Sequence, residues 1–157
     1  MVKTSKVVWV VAGAVVLSVL FSAGIIIYSY YGASDEESIA TSLDNVRQAA
    51  QRKSAKLVMY EIADDYQDAF GQNRKELSEK ASGWCAVHLT KEVAVQLSDV
   101  KIVVAPDRKT ATAEVTVGGN APVQEVVRWT GGRDKARLRV DFVRDGRWKI
   151  KGCQKIN

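Results

Sequence analysis

The sequence predicts a small α+β domain carried behind one membrane-spanning helix. Three observations carry that reading: an uncharged apolar run near the N-terminus, helical spacing of apolar residues through the middle of the chain, and alternating apolar residues with turn signals through its last third. At 157 residues the chain has room for one domain of ordinary size. A charged fraction of 26%, an apolar fraction of 46% and only two prolines describe a folded chain rather than a disordered one.

The apolar run extends from Val7 to Tyr31, 25 residues without a formal charge. A helix of that length reaches roughly 37 Å, enough to cross a hydrocarbon core of about 30 Å with some tilt. Lys3 and Lys6 precede the run, and Asp35, Glu36 and Glu37 follow it. Positive flanks stay on the cytoplasmic side, so the N-terminus is expected inside and the rest of the chain outside. Trp9 near the inner end and Tyr28, Tyr30 and Tyr31 near the outer end suit the two membrane interfaces. A buried core helix would be shorter and would carry a polar face. A cleaved signal peptide would have an apolar core of about 7–15 residues and a small-residue cleavage site, and no convincing site follows here. The expected division is therefore a cytoplasmic segment 1–6, a signal anchor 7–31 in the inner membrane, a linker 32–37 and a periplasmic domain 38–157.

Charge narrows the partners. The 23 basic residues, less Lys3 and Lys6, leave 21 against 18 acidic ones in the outer part. That surplus is mild for nucleic-acid binding, which needs a concentrated basic field and suits the expected location poorly. Cys85 and Cys153 lie in an oxidising compartment under this reading, which permits one disulfide and leaves two free thiols as the alternative. Neither has a Cys or His at metal-ligand spacing, so no metal is expected, and nothing in the chain implies a cofactor.

Along the domain, Asp35-Glu36-Glu37-Ser38 opens a helix in which Ile39, Leu43, Val46 and Ala50 share one face. Leu57, Met59 and Ile62 continue the apolar theme past the polar patch Gln51–Ser54. A short second helix is expected at roughly Asp65–Phe70, ending at Gly71, and a third from Arg74 to about Val87 behind an Asn73 cap. The period then changes. Val93, Val95 and Leu97 alternate in one phase and Val100, Ile102 and Val104 in the other, which a bulge near Ser98-Asp99 reconciles. Pro106–Lys109 makes a turn, Ala111 to Val117 a strand, Gly118-Gly119-Asn120 another turn, Val123 to Trp129 a strand, and Thr130–Asp134 a longer loop. For the last hairpin a three-residue loop, Arg144-Asp145-Gly146, puts Phe142 opposite Trp148 and Val140 opposite Ile150. Leu138, Val140, Phe142, Trp148 and Ile150 then share a buried face.

Helices first and antiparallel strands after, with LDNVRQAAQRKSAKLVMYEIADDYQDAFGQNRKELSEKASGW (Leu43–Trp84) and RLRVDFVRDGRWKIKG (Arg137–Gly152), resemble the nuclear transport factor 2-like (cystatin-like cone) superfamily. The resemblance covers about Ser38–Ile156 and implies three helices packed on a curved antiparallel sheet. It implies little about activity, because that superfamily includes enzymes, ligand binders and interaction modules. Its layout is also similar to the periplasmic assembly component of type IV secretion systems and to Mce-associated membrane proteins.

Family enzymes place Asp, His or Tyr in an apolar cone. The acid–base candidates are His88, Tyr60, Asp64, Asp65, Tyr66 and Asp141. His88 is either a general base or a helix-end residue, one of Asp64 and Asp65 is read as a helix cap, and no set forms a recognisable dyad. Tyr60, Tyr66, Phe70, Trp84, His88, Trp129 and Trp148 form the candidate pocket. Arg137, Arg139, Lys149, Lys151 and Lys155 form a candidate basic strip suited to an acidic protein partner or to anionic headgroups. The expectation is a non-catalytic interaction or assembly module of a bacterial envelope complex, with a protein partner or a homo-oligomer. A binder of a small apolar ligand is the alternative, and an isomerase, dehydratase or cyclase comes third.

Overall fold

The computed structural model describes residues 33–120 and 135–156. The predicted anchor 7–31, the predicted strand 123–129 and the loop Thr130–Asp134 lie outside them. Among the described residues no helix is long and apolar enough to cross a membrane.

Helix α1 spans Asp35–Gln51, with Asp35, Glu36 and Glu37 in its first turn, where negative charge opposes the positive end of the helix dipole. Its buried stripe is Ile39, Ser42, Leu43 and Ala49. The expected Ala50 gives way to Ala49, one position round the helix. Helix α2 is a short piece, Ala55–Tyr60, capped by Ser54. It buries Met59 and leaves Leu57 46% exposed, so Leu57 does not continue the apolar face.

The expected helix over 65–70 is not formed. Instead the chain from Glu61 to Ala69 runs along the last strand. Ile150 N–H donates to the Glu61 carbonyl at 2.8 Å, Ala63 N–H to the Ile150 carbonyl at 2.8 Å, Gln67 N–H to the Lys151 carbonyl at 3.0 Å and Ala69 N–H to the Cys153 carbonyl at 3.0 Å. A six-residue helix is marginal in isolation, whereas this path pairs a strand edge that would otherwise stay open. Gly71 closes a turn back onto the Asp68 carbonyl.

Helix α3 spans Arg74–Val87 behind the predicted Asn73 cap. The Asn73 side chain accepts from Lys75 and Glu76 N–H, and the Glu76 carboxylate accepts from Asn73 N–H at 2.9 Å. This reciprocal capping box satisfies donors that no helix can satisfy internally.

Strands β1 (Val95–Val104), β2 (Thr110–Gly119), β3 (Lys135–Asp145) and β4 (Arg147–Ile156) form an antiparallel sheet in sequential order. The expected bulge in β1 is present: the register shifts between Ser98 and Lys101, with Asp99 at φ 53°. Val93 is buried but precedes the strand.

The last hairpin differs from expectation in register and agrees in facing. Phe142 lies opposite Ile150, Arg144 opposite Trp148, and Asp145 opposite Arg147 about Gly146 at φ +67°. The offset from the expected pairing is two residues, and a two-residue slip leaves each side chain on its own face. Phe142, Trp148 and Ile150 are accordingly all buried. A second bulge follows, between Asp141 and Phe142 on one strand and Gly152 and Ile150 on the other, with Lys151 as the extra residue. Beyond it β4 changes phase. Cys153 and Lys155 lie opposite Val140 and Leu138, and Gly152 and Gln154 lie opposite Asp141 and Arg139.

Among the described residues Phe142, Ile39 and Val115 are the largest fully buried side chains, in a core shared with Met59, Ile62, Tyr66, Val140, Trp148 and Ile150. Gly152 is where the 61–69 segment closes over β4. A Cβ at that position would stand 2.9 Å from the Gln67 carbonyl oxygen, closer than packing allows. Gly152→Val should therefore lift this segment and lower stability by about 1–3 kcal/mol. A urea midpoint equal to that of the parent chain would show that the segment is not held there.

Candidate functional site

Among the described residues three carboxylates and one histidine are buried, and each is held by defined donors or acceptors. Asp35, 7% exposed, sits at the start of α1. It accepts from Arg108 Nε at 2.5 Å, Arg144 Nη1 at 3.1 Å and Trp148 Nε1 at 3.2 Å. Arg108 comes from the β1–β2 turn and Arg144 from the β3–β4 tip, so one carboxylate joins a helix start to two hairpins. The Arg108 hydrogen bond, with help from Trp148 and the charge of Arg144, holds the Asp35 carboxyl below the usual range.

Glu61 follows α2. It accepts from Ser42 Oγ at 2.8 Å, Asn45 Nδ2 at 3.1 Å and Arg147 Nη1 at 3.3 Å. The Arg147 guanidinium also donates to the Tyr60 carbonyl and lies 3.7 Å from the centre of the Tyr60 ring. Asp68 accepts from the backbone N–H groups of Phe70 and Gln72, each at 2.9 Å, which makes it the brace of its own turn. His88 ends α3, with Nδ1 2.9 Å from the Trp84 carbonyl oxygen and its ring stacked on Trp84 at 4.8 Å.

The aromatic candidates are distributed over several places. Tyr66 and Trp148 belong to the core, and burial pushes the Tyr66 hydroxyl well above its ordinary value. Trp84 and His88 stack at the end of α3, where Trp84 Nε1 is shielded without a hydrogen-bond partner. Tyr60 and Phe70 are exposed. Trp129 lies outside the described residues. Asp64 pairs with Arg74 at 3.5 Å and Asp65 with Lys151 at 3.2 Å, both on the surface. Neither caps a helix.

Cys85 and Cys153 are free thiols, and the permitted disulfide is not formed. Cys85 lies against the backbone of Ala55, whereas Cys153 sits beneath the Asp68–Ala69 segment and near Asp141. Burial, with the nearby charges of Asp68 and Asp141, pushes the Cys153 thiol up to about 12.

The expected basic strip is broken up. Arg137 and Arg139 both pair with Glu114, at 2.7 and 3.1 Å, and the Arg139 hydrogen bond holds the Glu114 carboxyl below its usual range. Lys149 pairs with Asp145 at 3.1 Å. Lys151 is the bulge residue, and Lys155 lies opposite Leu138, in phase with the core side, because the bulge reverses β4. In place of a strip, the outer face carries two ladder rows. Lys101, Glu114, Arg139 and Gln154 stand side by side across the four strands, and the next row is Val103, Thr112, Asp141 and Gly152. A shallow depression of about 370 Å³ lies over these rows.

Asp35 and Glu61 were not among the sequence candidates. In the sequence Asp35 counts for its charge alone, in the acidic flank after the apolar run and at a helix start, and nothing local marks Glu61.

Among the described residues, helices are followed by a four-stranded antiparallel sheet with the core between them, an α+β arrangement shared with solved nuclear transport factor 2-like, cystatin-like proteins. Solved structures agree on the fold. A nuclear transport factor 2-like protein with a cystatin-like fold from Novosphingobium aromaticivorans is 16% identical, matching 86% of this chain and 86% of its own with a TM-score of 0.60. A cystatin-like protein of unknown function from Nostoc punctiforme is 14% identical over 75% of this chain and 86% of its own, with a TM-score of 0.55. Bd1075 of Bdellovibrio bacteriovorus is 12% identical over 75% of this chain, with a TM-score of 0.59, and the match spans 40% of that protein. No family model matches the chain, and no curated protein matches it.

Proposed function

We propose that the protein is a membrane-anchored, extracytoplasmic interaction module of a bacterial envelope complex, presenting the outer face of its sheet to a protein partner. The observation that carries this reading is that the buried carboxylates are tied to structural partners: Asp35 to two arginines and a tryptophan, Glu61 to Ser42, Asn45 and Arg147. Acid–base catalysis needs a carboxyl or imidazole with an uncommitted lone pair facing substrate space, and these are committed to the fold. The outer face, by contrast, presents exposed Val103 within a polar surround. The anchor and orientation rest on the uncharged run 7–31 and its charge asymmetry.

The test uses the full chain in its native membrane, with a photo-crosslinking residue at Val103. Protease added to spheroplasts should digest the domain, and irradiation should join Val103 to a discrete protein neighbour. Full protection of the domain would reject the orientation, and no crosslinked protein at this face would reject the module.

A further inference from the structure

We infer that the outer-face depression binds an extended partner segment carrying an acidic and a basic residue two positions apart. The inference rests on the interaction-module reading and adds the chemistry of the partner.

The first row supplies positive charge and donors. Glu114 is the only acid in that row, and it is shared between Arg137 and Arg139, so one carboxylate faces two guanidiniums. Lys101 stands beside it in register and has no ion-pair partner among the described residues. Arg139 Nε is shielded from solvent and makes no hydrogen bond there. The second row supplies the opposite sign. Among the described residues Asp141 accepts only a long bond from Thr112 Oγ1, at 3.4 Å, and its cross-strand neighbour Gly152 has no side chain. Val103 and Thr112 are small enough to leave the space above them open.

The rows are two residues apart along each strand, about 7 Å. Successive same-side residues of any extended chain have that same spacing, so a segment laid along the strands sets one side chain over each row. An acidic side chain over the first row reaches Lys101 and Arg139 across Glu114, whose single charge is outweighed by Arg137, Arg139 and Lys101, and a basic one two residues on meets Asp141. The site is a mixed-sign reader, and a uniformly acidic surface, including a bilayer of anionic lipid, meets Asp141 with like charge.

The probe is a set of fluorescein-labelled threonine peptides containing Glu-Thr-Lys, Glu-Thr-Glu or Lys-Thr-Lys, titrated against the full chain in detergent at low salt. Glu-Thr-Lys should bind about fivefold to tenfold more tightly than either single-sign peptide, as expected for two partly sheltered ion pairs. Asp141→Lys, with an unchanged circular dichroism spectrum, should move the preference to Glu-Thr-Glu. Lys101→Glu provides a second variant should Asp141→Lys fail to fold, and it should weaken Glu-Thr-Lys binding by a similar factor.

Equal binding of all three peptides, or a preference untouched by both variants, would overturn the inference. So would self-association of the chain abolished by the same variants, which would make a second copy the occupant. Crosslinking at Val103 without peptide discrimination removes the proposed partner chemistry and leaves the module reading standing, whereas loss of both removes both.

Discussion

Replacing Phe142 with alanine should cost the domain about 3–5 kcal/mol, a large part of the stability of a domain this size. Phe142 is 1% exposed and lies between Ala111 on β2 and Ile150 on β4. The size of the loss depends on whether neighbours can collapse into the vacated space. Ala111 and Ala113 are methyl groups fixed on a sheet and cannot reach across, so most of the cavity should remain open. Thermal or urea unfolding of the full chain in detergent, followed by near-ultraviolet circular dichroism, measures the effect. A loss below about 1 kcal/mol would show that the sheet face closes more readily than its residues suggest. Leu57→Ala, at a 46% exposed position, is the matched control and should stay within about 0.5 kcal/mol.

Asp35→Ala should follow at about 2 kcal/mol, and the three donors to this carboxylate contribute unequally. Arg108 and Arg144 have side chains 66% and 44% exposed, so on losing Asp35 they can turn to water at small cost. Trp148 is 4% exposed, and its indole N–H would remain buried without an acceptor, which carries most of the penalty. Asp35→Asn keeps an acceptor and removes the charge, so it should cost less than alanine. The pH dependence follows from the lowered carboxyl. The stabilisation is complete above the unfolded-state value near 3.8 and is lost as pH falls through the lower folded value. The parent chain should thus lose stability on acidification over this range more steeply than Asp35→Asn. Parallel curves for the two proteins would mean that the charge of Asp35 contributes nothing.

What could be read from the sequence was what local chemistry decides. Asn73 and Glu76 cap α3 because their spacing lets each side chain reach the other's backbone. The β1 bulge was legible because two apolar phases in one strand have few other solutions. Facing in the β3–β4 hairpin was legible and register was not, since a slip of two residues preserves the alternation that informs the reading. The bulge at Lys151 escaped for another reason. It depends on Gly152 admitting the Gln67 carbonyl, a contact across 85 positions in the chain. The same distance effect explains the missing helix over 65–70, whose polar run and terminal Gly71 look helical until the edge of β4 offers hydrogen bonds. The candidate site fared worse than the fold. Asp35 meets Arg108 and Arg144 across 73 and 109 positions, and the expected basic strip was dispersed by ion pairs to Glu114, Asp145 and Asp65 and by the bulge.

The Asp35 junction also decides how the domain resists tension. Any pull transmitted along the chain from residue 34 reaches α1 at its first turn, the part of a helix that ordinarily frays first. Here that turn is bolted by three bonds acting in parallel, carried to two separate hairpins, so the helix cannot peel away one turn at a time. The load passes instead into the sheet through the β1–β2 turn and the β3–β4 tip together. Rupture then requires several hydrogen bonds to fail at once, which gives the start of α1 a mechanical strength that an unpinned helix end lacks.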